Sequence, residues 1–373
     1  MATLDVIIVG AGLAGLHAAR LLEAAGITEY AVLEGRPRTG GRIHSFEHDL
    51  PGHVVGDGGF DLGATWLWPG FQRELAMLVE ELGLPVVLQK DDGDLLFERA
   101  AHEPIARFAG MAAMPPSFRI AGGVRRLLHA VGASVQAEKI HLQTQIVQIR
   151  ANADGVVLTA LRNGVPVTWR ARSVLLALPP RLAVATLTFD PPLPADTHHA
   201  WQSTGTHMAA HAKYLAVYPS NFWRDRGLSG EARSLLGPLG EIHDASSSSH
   251  AALFGFFALP AAQRAGIPDE ELKHRCRSQL ARLFGDAARE PLADAVQDWS
   301  AESFTATPAC AAQASGHGYI PDTSPGGTPW AGRLLGAGSE WSPSNPGYLA
   351  GAIEASTRAV QAFLSSTHQR ARE

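Results

Sequence analysis

The chain has 373 residues, 46% hydrophobic and 18% charged, enough for a large core in two domains or in one domain with a large insertion. A formal net charge of -5 argues against binding to a phosphate backbone, which needs a basic surface. The two cysteines, Cys276 and Cys310, exclude a disulfide framework and are spaced for neither a CxxC pair nor a zinc site.

Residues 5–9, DVIIV, form a β-branched run of the kind that makes a buried parallel strand. A glycine-rich turn leads into a helix over 13–25, with Leu16, Leu21 and Leu22 on its apolar face and Gly26 as its stop. Residues 30–33 are the next strand and end at Glu34. This opening is a strand–helix–strand unit of about 30 residues. Leu75, Leu78, Val79 and Leu82 predict a helix over 72–82, stopped by Gly83 and Pro85. A turn and short helix follow Gly122-Gly123.

Strands are predicted over 140–149, 156–161, 165–170 and 174–178, with hairpin turns at Asp154-Gly155 and Asn163-Gly164. Pro179-Pro180 and Pro191-Pro192 mark the crossing out of this region. A strand over 213–218 is followed by a loop over 219–236, a serine-rich loop tip at 246–249 and a strand over 253–259. A helix spans 269–284, begun by Pro268 and stopped by Gly285. A short strand over 333–337 and a helix over 348–364 close the pattern. No secretory signal opens the chain, and no apolar stretch approaches the ~20 residues that cross a bilayer. A soluble cytoplasmic protein with two reduced thiols and no membrane partner is therefore expected.

Gly10-x-Gly12-x-x-Gly15 follows a strand and opens a helix, and Glu34 lies about 20 residues on, at the end of the second strand. Gly10 permits the tight turn, Gly12 lets backbone approach a pyrophosphate, and Gly15 lets helix pack on strand. The amides at the helix start favour phosphate, and Glu34 can accept from a ribose hydroxyl. In Arg36-Pro37-Arg38-Thr39-Gly40-Gly41-Arg42, two glycines flanked by arginines suit a second approach to a diphosphate, with a charged surface loop as the alternative.

The stretch VIIVGAGLAGLHAARLL and the later VLEGRPRTGGRI resemble the FAD-binding start of the flavin amine oxidases, the monoamine oxidase-like family. Asp61-Leu62-Gly63-Ala64-Thr65-Trp66 is similar to the family loop that passes near the flavin ring. Val147 matches the segment whose backbone meets the adenine, and Leu178-Pro179-Pro180 the proline step after that region. Gly338-Ser339-Glu340 and Gly347-Tyr348-Leu349 resemble the C-terminal motif that caps the flavin. The matching blocks run from residue 6 to residue 364.

The resemblance implies an α/β protein: a Rossmann-like FAD-binding domain built from 1–70, 118–200 and 305–373, and a mixed-sheet α+β substrate domain from 71–117 and 201–304. It implies FAD, a small-molecule amine substrate and O2 as partners; the FAD is read as non-covalent because the residues around Cys310, close to the site by count, do not resemble the linkage motif. Lys213 shares its strand face with Leu215 and Val217, so burial should lower its pKa. It matches the family lysine that holds a water beside the flavin. Tyr348 matches one ring of the aromatic cage around the substrate amine. The second cage position falls on Ala309, with Pro308 where some members carry a flavin-bonded cysteine, and Tyr319 is the substitute ring from a shifted loop. The segment between Trp66 and Ile120 is short, which implies a smaller or more open cavity.

No metal is expected: the chain has no HExxH, no GxSxG and no ligand cluster, and His198, His199, His207 and His211 are dispersed. His207 or His211 near the flavin is an alternative to plain loop histidines. Two further readings stay open. One is a flavin dehydrogenase or desaturase of the same superfamily with another acceptor or a C–C substrate. The other is a flavin-binding module without turnover.

Overall fold

The computed structural model describes residues 3–47, 59–110, 114–312, 320–326 and 329–370. The opening unit forms as its sequence dictates. Strand Leu4–Val9 pairs in parallel with Tyr30–Leu33, and helix Leu13–Ala24 crosses between them. Strand residues Val6 to Leu33 are buried on both faces, which explains their near-continuous apolar composition. The sheet they start has eight strands. Its parallel part continues on one side to Ile140–His141 and on the other to Val165–Leu176, which also pairs in parallel with Leu334–Gly336.

Val165–Leu176 belongs to two environments. Its first half lies antiparallel to Gly155–Arg162 and is largely exposed; its second half enters the buried parallel sheet. The change of burial pattern makes one strand read as two in the sequence. Conversely, the segment expected as a single strand over 140–149 breaks at Gln143, whose φ of 51° leaves the β region. Asn163 and Gly164 both have positive φ and close the hairpin as their residue types require.

The second sheet has seven strands, in the order Ala293–Asp298, Ala212–Tyr218, Ala251–Phe257, Leu239–Asp244, Leu228–Ser234, Asp94–Glu98, Ala106–Phe108. The loop expected over 219–236 is a short helix, Phe222–Asp225, followed by strand Leu228–Ser234. That strand reads LSGEARS, and its glycine and charges hide it from periodicity. Tertiary pairing with Leu239–Asp244 and Asp94–Glu98 overrides the weak propensity. Tyr214, Ala216 and Tyr218 pack toward helix Asp269–Phe284, while Leu215 and Val217 pack against Phe60, Leu62 and Phe254. The central strand is thus apolar on both faces, with Lys213 as its buried exception. Among the described residues, no helix is long and apolar enough to cross a membrane.

Helix Leu349–Arg370 packs on helix Leu13–Ala24 within one core. Their contact includes His17, whose Nδ1 lies 2.9 Å from Ser356 Oγ. Burial, with Arg20 adding to it, lowers the His17 pKa to about 4. The unfolded chain therefore binds this proton more readily. The resulting stability is complete above about pH 6.5 and is lost as pH falls toward 4, roughly 3 kcal/mol in all. His17→Leu is expected to flatten the melting temperature between pH 6.5 and 4. An acid limb as steep as the parent's would assign that limb to other groups.

Candidate active site

A cavity of about 870 Å³ opens between the first sheet, the second sheet and the N-terminus of helix Leu349–Arg370. At one end lies the dinucleotide loop. Gly10, Gly12, Glu34 and Arg36 line it, and so do Gly40, Gly41 and Arg42. Gly12 and Gly40 form an isolated bridge that joins the two loops, and Gly40 N–H donates to Ala11 O at 2.8 Å. Gly15 faces the strand: a Cβ there would lie 1.9 Å from Gly10 O. Its role is the predicted helix–strand packing, and it does not line the cavity.

Glu34 is buried and already engaged by backbone. Oε2 accepts from Ala11 N at 2.8 Å and Oε1 from Arg36 N at 2.9 Å. Each oxygen keeps a second lone pair for a ribose hydroxyl. The Arg36 guanidinium reaches Glu302 at 3.3 Å and Thr305 Oγ1 at 2.8 Å, and lies 5.4 Å from the Phe304 ring centre. Arg38 turns inward and donates to Thr39 O, Gly41 O and Ile43 O, bracing its own loop. Arg42 bonds Ser339 Oγ at 2.9 Å, and its Nη1 lies 2.7 Å from Glu340 Oε1. Glu340 is therefore behind the wall, holding Arg42, while Gly338, Ser339, Tyr348 and Leu349 line it.

Val147 sits at an irregularity of its strand. The strand register shifts between Ile146 and Gln148, and Val147 has no partner in the neighbouring strand. Thr144, Gln145 and Ile146 line the cavity, and Val147 does not.

The middle of the cavity is built on the loop after strand Phe60–Asp61. Gly63, Ala64, Thr65 and Trp66 all line it. A Cβ on Gly63 would lie 1.9 Å from Arg42 O, so only glycine lets this loop meet the arginine loop. Lys213, 1% exposed, donates from Nζ to Asp61 O at 2.9 Å, Gly63 O at 3.2 Å and Thr65 Oγ1 at 2.6 Å. Phe254 lies 4.0 Å from Nζ to its ring centre. Burial pushes the Lys213 amine well below the ordinary lysine range; the Asp61 carboxyl opposes this and Arg119 adds to it. As an ammonium, Lys213 has all three donors taken by protein. As a neutral amine it has two N–H groups for the two backbone oxygens and a lone pair that can accept from the Thr65 hydroxyl.

Tyr348 stands between two rings that the sequence reading did not pair with it. His207 is 4.8 Å away and tilted 34°, and Trp68 is edge-on at 6.1 Å. Trp66 contacts Phe254, Phe256 and His243, and its Nε1 donates to Gln89 Oε1 at 3.0 Å. Pro308 and Ala309 do not line the cavity, and Tyr319 lies outside the described residues. Trp68 was findable as the second aromatic of the loop carrying Trp66. Arg233, Glu241 and Phe256 also line the cavity; the first two sit on strands the periodicity missed.

These residues fit a long dinucleotide. Two glycine-bearing loops meet at a helix N-terminus, a carboxylate stands at the second strand end, and the groove continues to an aromatic slot. The chain matches the family described as flavin containing amine oxidoreductase over residues 13–111 and 99–364. It is 28% identical to a putrescine oxidase of Kocuria rosea, over 81% of this chain and 83% of that one. It is 22% identical to amine oxidase [flavin-containing] B of Homo sapiens, over 96% of this chain and 86% of that one. Its fold is similar to that of wild-type putrescine oxidase bound to putrescine, with a TM-score of 0.79 and 20% identity over 98% of this chain and 99% of that chain. It is equally similar to cyclohexylamine oxidase from Brevibacterium oxydans, with a TM-score of 0.79 and 19% identity over 98% and 100% of the two chains.

Proposed function

Because this chain belongs to the flavin-containing amine oxidoreductases, we propose that it oxidises a primary or secondary amine to an imine, with FAD held non-covalently and O2 as the acceptor that yields H2O2. The observation that carries this reading is Lys213: a fully buried amine in the cavity, tied to the 61–65 loop, with the Tyr348 slot in the same cavity. FAD, when bound, supplies the hydride acceptor. Gly10, Gly12 and the start of helix Leu13–Ala24 would hold its diphosphate, with Arg42 and Gly41 from the facing loop. Glu34 would hold the adenosine ribose and Arg36 would stand beside it, with the backbone around Val147 toward the adenine. Gly63 to Trp66, Ser339 and Leu349 would frame the ring end.

Tyr348, Trp66 and Phe256 exclude water and orient the amine in an apolar slot, where the neutral form is favoured. Non-covalent binding is supported by Cys310, which is buried against Thr307 and does not line the cavity. The proposed division of labour keeps 1–70, 118–200 and 305–373 for the cofactor and 71–117 with 201–304 for the substrate.

The test is spectroscopic. Purified protein is expected to be yellow, to release its colour on denaturation, to bleach anaerobically with amines and to form peroxide when air is admitted. Slow re-oxidation after bleaching would select the dehydrogenase. Bleaching by a C–C substrate alone would select the desaturase. A colourless protein that cannot be reconstituted would remove the reading altogether.

A further inference from the structure

Strand register places four cavity side chains in one row. Arg233 lies opposite Glu241, Glu241 opposite Phe256, and Phe256 opposite Lys213. Directly opposed residues of antiparallel strands present their side chains on the same face. All four line the cavity. At a strand spacing of about 4.8 Å, Glu241 is roughly 10 Å and Arg233 roughly 14 Å across the sheet from Lys213. The row begins at the buried amine, crosses an aromatic spacer and ends at an ion pair.

Among the described residues, Glu34 and Glu241 are the only carboxylates lining the cavity. Glu34 is engaged in the dinucleotide loop. Glu241 is paired with Arg233, and its Oε1 lies 2.6 Å from His243 Nε2. His243 Nδ1 in turn lies 3.2 Å from Glu231. Burial would raise the Glu241 carboxyl, yet the bond from His243 and the Arg233 charge hold it down to about 2. Burial would lower His243, yet Glu231 and Glu241 raise it. Arg233 thus offsets the Glu241 carboxylate at the end of the row, and His243 bridges Glu241 and Glu231. A substrate's second ammonium approaching Glu241 would meet the like charge of Arg233 beside it.

We infer that this row selects monoamines with an apolar or aryl tail and rejects diamines, the Arg233–Glu241 pair closing it as a compensated end. The tail runs along Phe256 and Trp66, and specificity comes from the repulsive element as much as from the rings. The inference rests on the amine-oxidising reading above.

The test is anaerobic bleaching of the holoprotein by matched pairs: n-butylamine against 1,4-diaminobutane, and n-hexylamine against 1,6-diaminohexane. The concentration dependence separates Kd from the limiting rate. Each monoamine is expected to bind about tenfold or more tighter than its diamine. Arg233→Met leaves one uncompensated carboxylate and is expected to narrow that ratio about tenfold. Arg233→Met with Glu241→Gln should restore it. Tighter binding of the diamines by the parent protein, abolished by Glu241→Gln, would make Glu241 an anchor for a second cation and overturn the inference. Because the parent protein alone decides the sign, failure of a variant to fold does not shelter it. Bleaching by no amine at all would instead strike the underlying reaction.

Discussion

Lys213→Met is expected to slow re-oxidation of the reduced protein by oxygen about 10²-fold, and amine-driven bleaching by no more than about 3-fold. The asymmetry follows from what Nζ touches. Its partners are two backbone oxygens and Thr65 Oγ1, all on the loop 61–65. It contributes to the cavity, yet the slot proposed for the amine lies among Tyr348, Trp66 and Phe256. In the role the resemblance implies, Lys213 helps hold a water beside the flavin, and methionine cannot fill that role. The pH dependence has a definite sign. Because burial lowers the Lys213 pKa, the neutral form grows as pH rises through a range below that of ordinary lysine. The oxygen reaction should therefore rise along a limb in that range, and the limb should vanish in Lys213→Met. Stopped-flow mixing of reduced protein with oxygen at several pH values measures both. Unchanged oxygen kinetics would remove the role assigned to Lys213.

The fold was legible where local chemistry and tertiary demand agree. The glycine turn, Asn163-Gly164 and the helix begun by Pro268 each need a particular backbone conformation and carry residues that supply it. Leu228–Ser234 and Leu239–Asp244 were not legible, because Arg233 and Glu241 are paired across the strands and appear in sequence as isolated surface charges. The same limit applies to the site. Lys213 stood out as a charge in an apolar strand, whereas the partners that surround it come from residues 61–65. Trp68 and His207 reach Tyr348 from distant points in the chain. Arg36 with Glu302, and Arg42 with Glu340, are pairs that only the folded chain can reveal. The shift at Val147 likewise depends on the neighbouring strand and has no signature of its own.

Arg42→Met is expected to destabilise the protein by roughly 3 kcal/mol and to loosen the flavin at the same time. Glu340 is 2% exposed, and Arg42 is its ion-pair partner among the described residues, at 2.7 Å. Removing the arginine strands a buried carboxylate whose other contact is Ser339 Oγ at 3.0 Å. Arg42 is itself partly exposed, so water relieves some of the loss, and the lower end of the range for a broken buried pair applies. Arg42→Met with Glu340→Gln removes the stranded charge along with its partner. The double variant should therefore be more stable than Arg42→Met alone, and the coupling energy from the cycle isolates the pair.

Flavin retention answers a separate question. If Arg42 also faces the diphosphate, both variants should lose flavin on dilution while the single variant shows the larger loss of stability. Chemical denaturation of the flavin-free proteins reads the first quantity, and fluorescence of released flavin reads the second. A single variant as stable as the double would mean that the Arg42–Glu340 contact does not join the arginine loop to the C-terminal motif. A double variant that keeps its flavin would place Arg42 outside the diphosphate site.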